Sequence, residues 1–256
     1  MDLGLSERVY IVTGGSRGLA RAGAESLVAD GARVVLTGRD DDRLRAAAAE
    51  LAGTGHEDQV LPVVSDNADP ETADRLVAAA RDRWGRLDGA LLSVGGPPPG
   101  AAMDATDEQW RTAFESVFLG AVRLARKVAV ACDEGAAIAL VLSSSVKQPI
   151  GGLAISNGLR PGLAMVAKTL ADELGPRGIR VLGLLPGRID TERVRELDQL
   201  AEDPAAARAA GEAGIPLRRY GEPAEFGTAA AFMLSPSASY ITGVMIPVDG
   251  GAIRAF

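Results

Sequence analysis

The chain has 256 residues, 47% of them hydrophobic, which is enough for one large core and ordinary for one α/β domain. A net charge of −7 argues against a general nucleic-acid binder, because neutralising phosphates needs basic surface. A single cysteine (Cys132) excludes an internal disulfide, and with a single histidine (His56) it leaves no basis for a zinc centre. The N-terminus shows no charged segment followed by an apolar one, and no apolar run reaches the roughly 18 residues of a membrane span. The expectation is therefore a cytoplasmic protein with no membrane partner.

Short β-branched runs alternate with helical periods almost to the end of the chain. Residues 8–13 read as a strand that runs into Gly14-Gly15. Leu19, Gly23 and Leu27 then recur at i, i+4 and i+8, one stripe of a helix that stops at Gly31. Residues 33–37 form a second strand, 40–51 a helix and 60–64 a third strand. Asp69-Pro70-Glu71 reads as a helix start, with an aspartate cap and proline at the first helical position. A fourth strand at 87–94 ends in Gly95-Gly96 and three prolines. Thr106 to Gln109 is a capping box that opens a long helix to about residue 133. A fifth strand (136–142), a helix (153–174) in which Pro161 is expected to sit near the first turns or to kink it, and a sixth strand (179–185) follow. Residues 188–215 are polar and irregular, with one short amphipathic piece. Gly221-Glu222-Pro223 starts a last helix, and 243–248 closes a seventh strand. Strand–helix alternation of this kind implies parallel strands with right-handed crossovers. The expected fold is one α/β domain over residues 1–256, a doubly wound, seven-stranded parallel sheet flanked by helices.

Thr13 to Ala20, with Gly14, Ser16, Arg17, Gly18 and Leu19, lies between the first strand and the first helix. Glycine there lets backbone N–H groups approach a pyrophosphate, and the helix N-terminus favours its charge. This segment resembles the Thr-Gly-x-x-x-Gly-x-Gly loop of the short-chain dehydrogenase/reductase family, with Ala20 where the last glycine is usual. The likeness, which includes 3-oxoacyl-acyl-carrier-protein reductase-like members, covers nearly the whole chain. Asp66, followed by Asn67, matches the family aspartate that bonds the adenine. Ser93-Val94-Gly95-Gly96 stands where Asn-Asn-Ala-Gly is usual. Pro186-Gly187-Arg188-Ile189-Asp190-Thr191 is similar to the Pro-Gly-x-x-x-Thr run that cups the nicotinamide. The tail from Tyr240 to Gly251 is also typical. The resemblance implies a Rossmann fold and a nicotinamide dinucleotide.

The tip of the second strand bears on which one. An acidic side chain there suits the ribose 2′-OH, and a basic one suits a 2′-phosphate. Here the strand ends in Arg39, and Arg17 in the glycine loop can reach the same group. NADP(H) is therefore expected over NAD(H), although Asp40, Asp41 and Asp42 follow at once.

The catalytic positions depart from the family. Its members use a serine after the fifth strand and Tyr-x-x-x-Lys early in the next helix. Counting back from Leu170 to Leu174, the tyrosine position falls on Ser156 and the lysine position on Arg160. There is no tyrosine between residues 11 and 219. The asparagine position falls on Val117. The serine is Ser143 by the usual spacing, or Ser145 if two residues are deleted before Gly152-Leu153-Ala154. Serine is a poor proton donor. Arg160 retains the charge for ribose hydrogen bonds, but its pKa above about 12 disqualifies it as a proton reservoir. Lys147, if desolvated beside Arg160, is a replacement donor. Arg188 is either a ligand for a carboxylate or phosphate or a solvated loop arginine, and Tyr220 is within reach of a substrate pocket. Tyr240 is expected to pack near the last strand and His56 to lie at the surface.

Three functions fit: an NADPH-dependent carbonyl reductase or alcohol dehydrogenase with a rebuilt proton path, a cofactor-binding protein without redox turnover, or an isomerase, dehydratase or cyclase on the same scaffold. Residues 188–215 are expected to fold over a small-molecule substrate as a lid. The helices at 106–133 and 153–174 resemble the family's tetramer-forming pair, which implies a homotetramer or homodimer.

Overall fold

Strand β1 (Val9–Val12) is buried on both faces, as a central parallel strand must be when helices cover both sides of the sheet. The computed structural model describes residues 2–53 and 57–255, and His56 lies outside them. After β1 come helix α1 (Gly18–Ala29), β2 (Arg33–Gly38), α2 (Asp41–Ala52), β3 (Val60–Val64), α3 (Thr72–Trp84) and β4 (Gly89–Leu92). Helix α4 (Asp107–Ala113), a π turn (Phe114–Leu119) and α5 (Gly120–Ala131) lead to β5 (Ala137–Val141). Helix α6 (Ala154–Leu174), β6 (Arg180–Pro186), α7 (Glu192–Asp198), α8 (Pro204–Gly214), α9 (Pro223–Leu234) and β7 (Met245–Val248) complete the chain.

The seven strands are all parallel, in the order β3-β2-β1-β4-β5-β6-β7. Ile11 pairs with Val35 on one side and Ala90 on the other. Alternate side chains feed two cores. Val9, Ile11, Ala90 and Ile138 meet α3, α5 and α6, whereas Tyr10, Val12, Leu91 and Ala139 meet α1, α2 and α9. Alanines are frequent on the buried helix faces, as at Ala20 and Ala24 of α1 and Ala47 and Ala48 of α2.

Four local expectations are corrected. The third crossover helix begins at Thr72, not at Pro70, because the Asp69 carboxylate accepts from Glu71 N–H at 2.9 Å and closes a turn ahead of it. The predicted helix 106–133 is interrupted by the π turn; Gly120 follows it so closely against the Asn67 carbonyl that a Cβ there would stand 2.2 Å from the oxygen. Segment 188–215 is not irregular but holds α7 and α8. Tyr240 is fully exposed rather than packed on the last strand. Helix α6, by contrast, runs unbroken through Pro161, well past its first turn.

Arg180, at the start of β6, is buried and has a fixed task. Its guanidinium donates to the carbonyls of Met233 (2.8 Å), Ser235 (2.9 Å) and Ile241 (3.1 Å), tying the end of α9 to the sheet. Arg180→Met is expected to lower stability by about 3 kcal/mol, since it strands buried carbonyls that had charged donors. Urea unfolding checks this, and a loss below about 0.5 kcal/mol, the size of an ordinary surface substitution, would show that water replaces the side chain.

Candidate functional site

The strand order reverses between β1 and β4, and open α/β sheets form their ligand crevice at the C-terminal ends of such a pair. Two loops line it. The Thr13 hydroxyl donates to the Ser93 carbonyl at 2.7 Å and accepts from Ser93 N–H at 2.9 Å, which fixes the two loops to each other. Asn67 Nδ2 donates to the same carbonyl at 3.3 Å. Gly14 and Gly18 have φ of +65° and +61°, a region that side chains with a Cβ rarely adopt. Helix α1 starts at Gly18 with no side-chain cap, so its first N–H groups remain available to an anion. Ala20 is buried in the core at the position where the family glycine is usual. Ser16 in the loop and Leu19 in the first turn of α1 are half-buried. These features fit a dinucleotide pyrophosphate.

The remaining cofactor candidates surround this crevice. Asp66 is exposed after β3, its carboxylate accepting from Ala68 N–H at 3.0 Å. Gly95 is exposed after β4. Pro186 ends β6, and Gly187 N–H donates to the Val248 carbonyl at 3.0 Å. Ile189 and Thr191 are buried, and the Thr191 hydroxyl caps α7.

The arginines are arranged differently from the simple expectation. A cavity of about 320 Å³ beside the glycine loop is lined by Ser16, Arg17, Gly18, Arg21, Arg43 and Glu192, among others. Arg39 is exposed and is not part of that lining. Arg17 pairs instead with Glu192 at 3.0 Å and with Glu196 at 3.9 Å. Arg43 was not singled out in the sequence. The cap at Asp40, whose carboxylate accepts from Arg43 N–H, fixes the first turn of α2 and so brings Arg43 to the cavity. A basic residue three positions after a capping aspartate was the signal.

At the end of β5 the candidate catalytic groups gather. Ser143 is half-buried, and its hydroxyl accepts from Ser145 N–H at 3.1 Å. Ser145 is 4% exposed, and its hydroxyl has no partner among the described residues. Ser156 and Arg160 are both buried, one turn apart on α6. Arg160 is not presented as a ribose ligand. Its Nη1 donates to the carbonyls of Val141 and Leu142, the latter at 3.1 Å, and Nε is buried without a partner. The guanidinium is long enough to reach back to the carbonyls at the end of β5. Burial lowers its pKa to about 10, so it stays charged at neutral pH. Lys147 is exposed, which removes the desolvation its role as a proton donor required. Val117 lies in the π turn, packed with Ile155 and Leu159.

Arg188 and Tyr220 are engaged with each other. Arg188 Nη1 donates to Asp198 at 2.7 Å and to the Tyr220 hydroxyl at 3.0 Å. Tyr220 is 3% exposed, with Arg208 stacked 4.6 Å from its ring centre, and burial raises its pKa. Asp190 binds both Arg195 (2.7 Å) and Arg208 (3.2 Å), and its pKa is lowered chiefly by the Arg195 hydrogen bond. Residues 188–220 are thus knitted together by internal charge pairs. A larger cavity of about 530 Å³, lined by Trp110, Phe114 and Leu159, lies on α4, the π turn and α6, apart from the glycine loop. Among the described residues no cluster of three or more His, Cys, Asp or Glu is placed to hold a metal ion, and no helix is long and apolar enough to cross a membrane.

The family model described as enoyl-(acyl carrier protein) reductase matches residues 14–252. Levodione reductase of Leifsonia aquatica is 31% identical, over 98% of this chain and 96% of its own. L-rhamnose 1-dehydrogenase (NAD(P)(+)) of Azotobacter vinelandii is 33% identical, over 96% of this chain and 97% of its own. The crystal structure of L-sorbose reductase from Gluconobacter frateurii, complexed with NADPH and L-sorbose, superposes with a TM-score of 0.93 at 32% identity and full coverage of both chains. An oxidoreductase scaffold, an anion-ready glycine loop at the switch point and matching motifs along the whole sheet agree: this chain belongs to the short-chain dehydrogenase/reductase family.

Proposed function

We propose that the chain is an NADP(H)-dependent oxidoreductase of the carbonyl reductase or alcohol dehydrogenase type, with an active site that lacks the usual tyrosine and lysine. The observation that carries it is the uncapped start of α1 beside a cavity bearing Arg17 and Arg43, with Arg39 at the adjoining strand tip. Gly14, Ser16, Gly18 and Leu19 would hold the pyrophosphate, and Arg17 and Arg39 the 2′-phosphate. Asp66 and Asn67 would flank the adenine end, and Gly95, Pro186, Gly187, Ile189 and Thr191 the nicotinamide end. When bound, the cofactor supplies or accepts a hydride. This chain must then deliver a proton to the carbonyl oxygen, or take one from the alcohol. Ser145, whose buried hydroxyl has no partner among the described residues, would make that hydrogen bond, with Ser156 or an ordered water completing the path. The named activities of the relatives support a small carbonyl or alcohol substrate, held under residues 188–215 as a lid. Assembly as a homodimer or homotetramer fits the exposed Phe114 and Met165 on the helices of the family's interface pair.

A second reading, cofactor binding without redox turnover, is favoured by one observation: Arg160 is committed to main-chain carbonyls. Titration with NADPH and NADH, followed by NADPH consumption over a panel of ketones and sugars, separates the two. Tight NADPH binding with turnover supports the first reading. Tight binding with no turnover on any substrate supports the second, and no binding of either nucleotide removes both.

A further inference from the structure

The cavity next to the glycine loop is not purely basic, and its one acidic wall facing Arg17 comes from a distant part of the chain. Glu192 is the first residue of α7, directly after Thr191 in the nicotinamide loop. Its carboxylate lies 3.0 Å from Arg17 Nη1 and lines the same cavity. Glu196, one turn further on, stands 3.9 Å from the same nitrogen. Arg21, the neighbouring cation, is already held by Glu25 and Glu50. The Arg43 side chain has no such partner among the described residues.

We propose that Glu192 is a specificity-determining residue, a carboxylate that occupies Arg17 in place of the cofactor's 2′-phosphate and must be displaced when NADP(H) binds. The proposal rests on the NADP(H) reading above and adds a competitor and a third cation to it. The magnitudes favour displacement. Both partners of the Arg17–Glu192 pair are half-exposed (50% and 59%), and pairs of that kind are held by no more than about fivefold. A phosphate monoester carries about two charges and three acceptor oxygens, so it outcompetes a single carboxylate for a guanidinium fork. Arg43 gives it a second donor in the same cavity. NADH has only a hydroxyl at that position and leaves the pair in place. Because Glu192 opens α7, its release also frees one tether between the glycine loop and the segment that follows the nicotinamide loop. The NADP(H) form alone would loosen that tether.

The test uses the full-length protein and its Glu192→Gln variant, which keeps the shape and removes the charge. Both are titrated with NADPH and with NADH by nucleotide fluorescence, after thermal melts confirm folding. The expected result is an NADPH dissociation constant about two- to fivefold lower in the variant, with NADH changed less than about 1.5-fold. Arg43→Ala in the wild-type background is expected to weaken NADPH by about tenfold and spare NADH. Hydrogen exchange over residues 192–198 is expected to rise on adding NADPH and not on adding NADH. If the wild type prefers NADPH but Glu192→Gln leaves the preference in affinity for NADPH over NADH unchanged or weakens it, the competition is disproved and the cofactor reading stands. If the wild type binds both nucleotides equally, both are overturned.

Discussion

Replacing Arg17 and Arg39 together by alanine is expected to weaken NADPH binding by about a hundredfold while leaving NADH within about threefold. A guanidinium–phosphate hydrogen bond is worth roughly 1.5–3 kcal/mol when shielded. Arg17 and Arg39 are both exposed, and solvent screening brings each down to about 1.4 kcal/mol, one factor of ten. The two act on one phosphate from the glycine loop and the β2 tip, so the factors multiply only if each contacts it independently. NADH has no group there, and on the proposed reading its pyrophosphate would be held by backbone N–H groups of the loop, which the substitutions leave intact. Isothermal titration at fixed ionic strength measures both constants. An equal loss for the two nucleotides would mean that these arginines only steer anions to the crevice, and the NADP(H) preference would fall.

The second large effect is a gain. If, as proposed, Ser156 and Arg160 stand at the tyrosine and lysine positions, Ser156→Tyr with Arg160→Lys is expected to raise NADPH-dependent turnover of ketones by about 10²- to 10⁴-fold, the range a well-placed acid–base group supplies. The two positions are four residues apart and share a helix face. Lysine cannot reproduce the fork that Arg160 gives to Val141 and Leu142, and tyrosine overfills a buried serine site, so stability is expected to fall by about 2–4 kcal/mol. Rising kcat alongside a falling Tm is therefore the signature, with a new basic limb in the pH profile from the phenol. A folded double variant with unchanged turnover would show that proton delivery does not pass the Ser156 position. A rise from a measurable wild-type rate would favour the redox reading, and a rise from zero would favour the non-catalytic one.

The parts of this protein that were legible in the sequence are those written in local periodicity. Strand β3 falls on residues 60–64 as read, and the other strands shift only at their ends. The Thr106–Gln109 capping box closes as expected because it involves residues three apart. The glycine loop is recognisable since positive φ at Gly14 and Gly18 is a local steric demand. The π turn was not legible. It answers to the close approach of Gly120 to Asn67, a contact between segments far apart in the chain. Helix α8 is alanine-rich and fully lacking in buried residues, so it presents no apolar stripe to read, and its order comes from Arg208 reaching Asp190 and the Tyr220 ring.

The site divides along the same line. By itself the sequence determined the doubly wound sheet, the glycine turn after its first strand and the absence of tyrosine from α6, because alternation, glycine positions and residue identity are properties of the chain alone. Only the tertiary structure decided what the charged side chains do. Arg17 meets Glu192 across 175 positions, Arg160 turns to the carbonyls of β5 rather than outward, and Arg188 closes on Asp198 and Tyr220. A guanidinium has a long stem and several donors, and its partner is whichever acceptor the fold brings within about 3 Å. No spacing in the sequence encodes that choice.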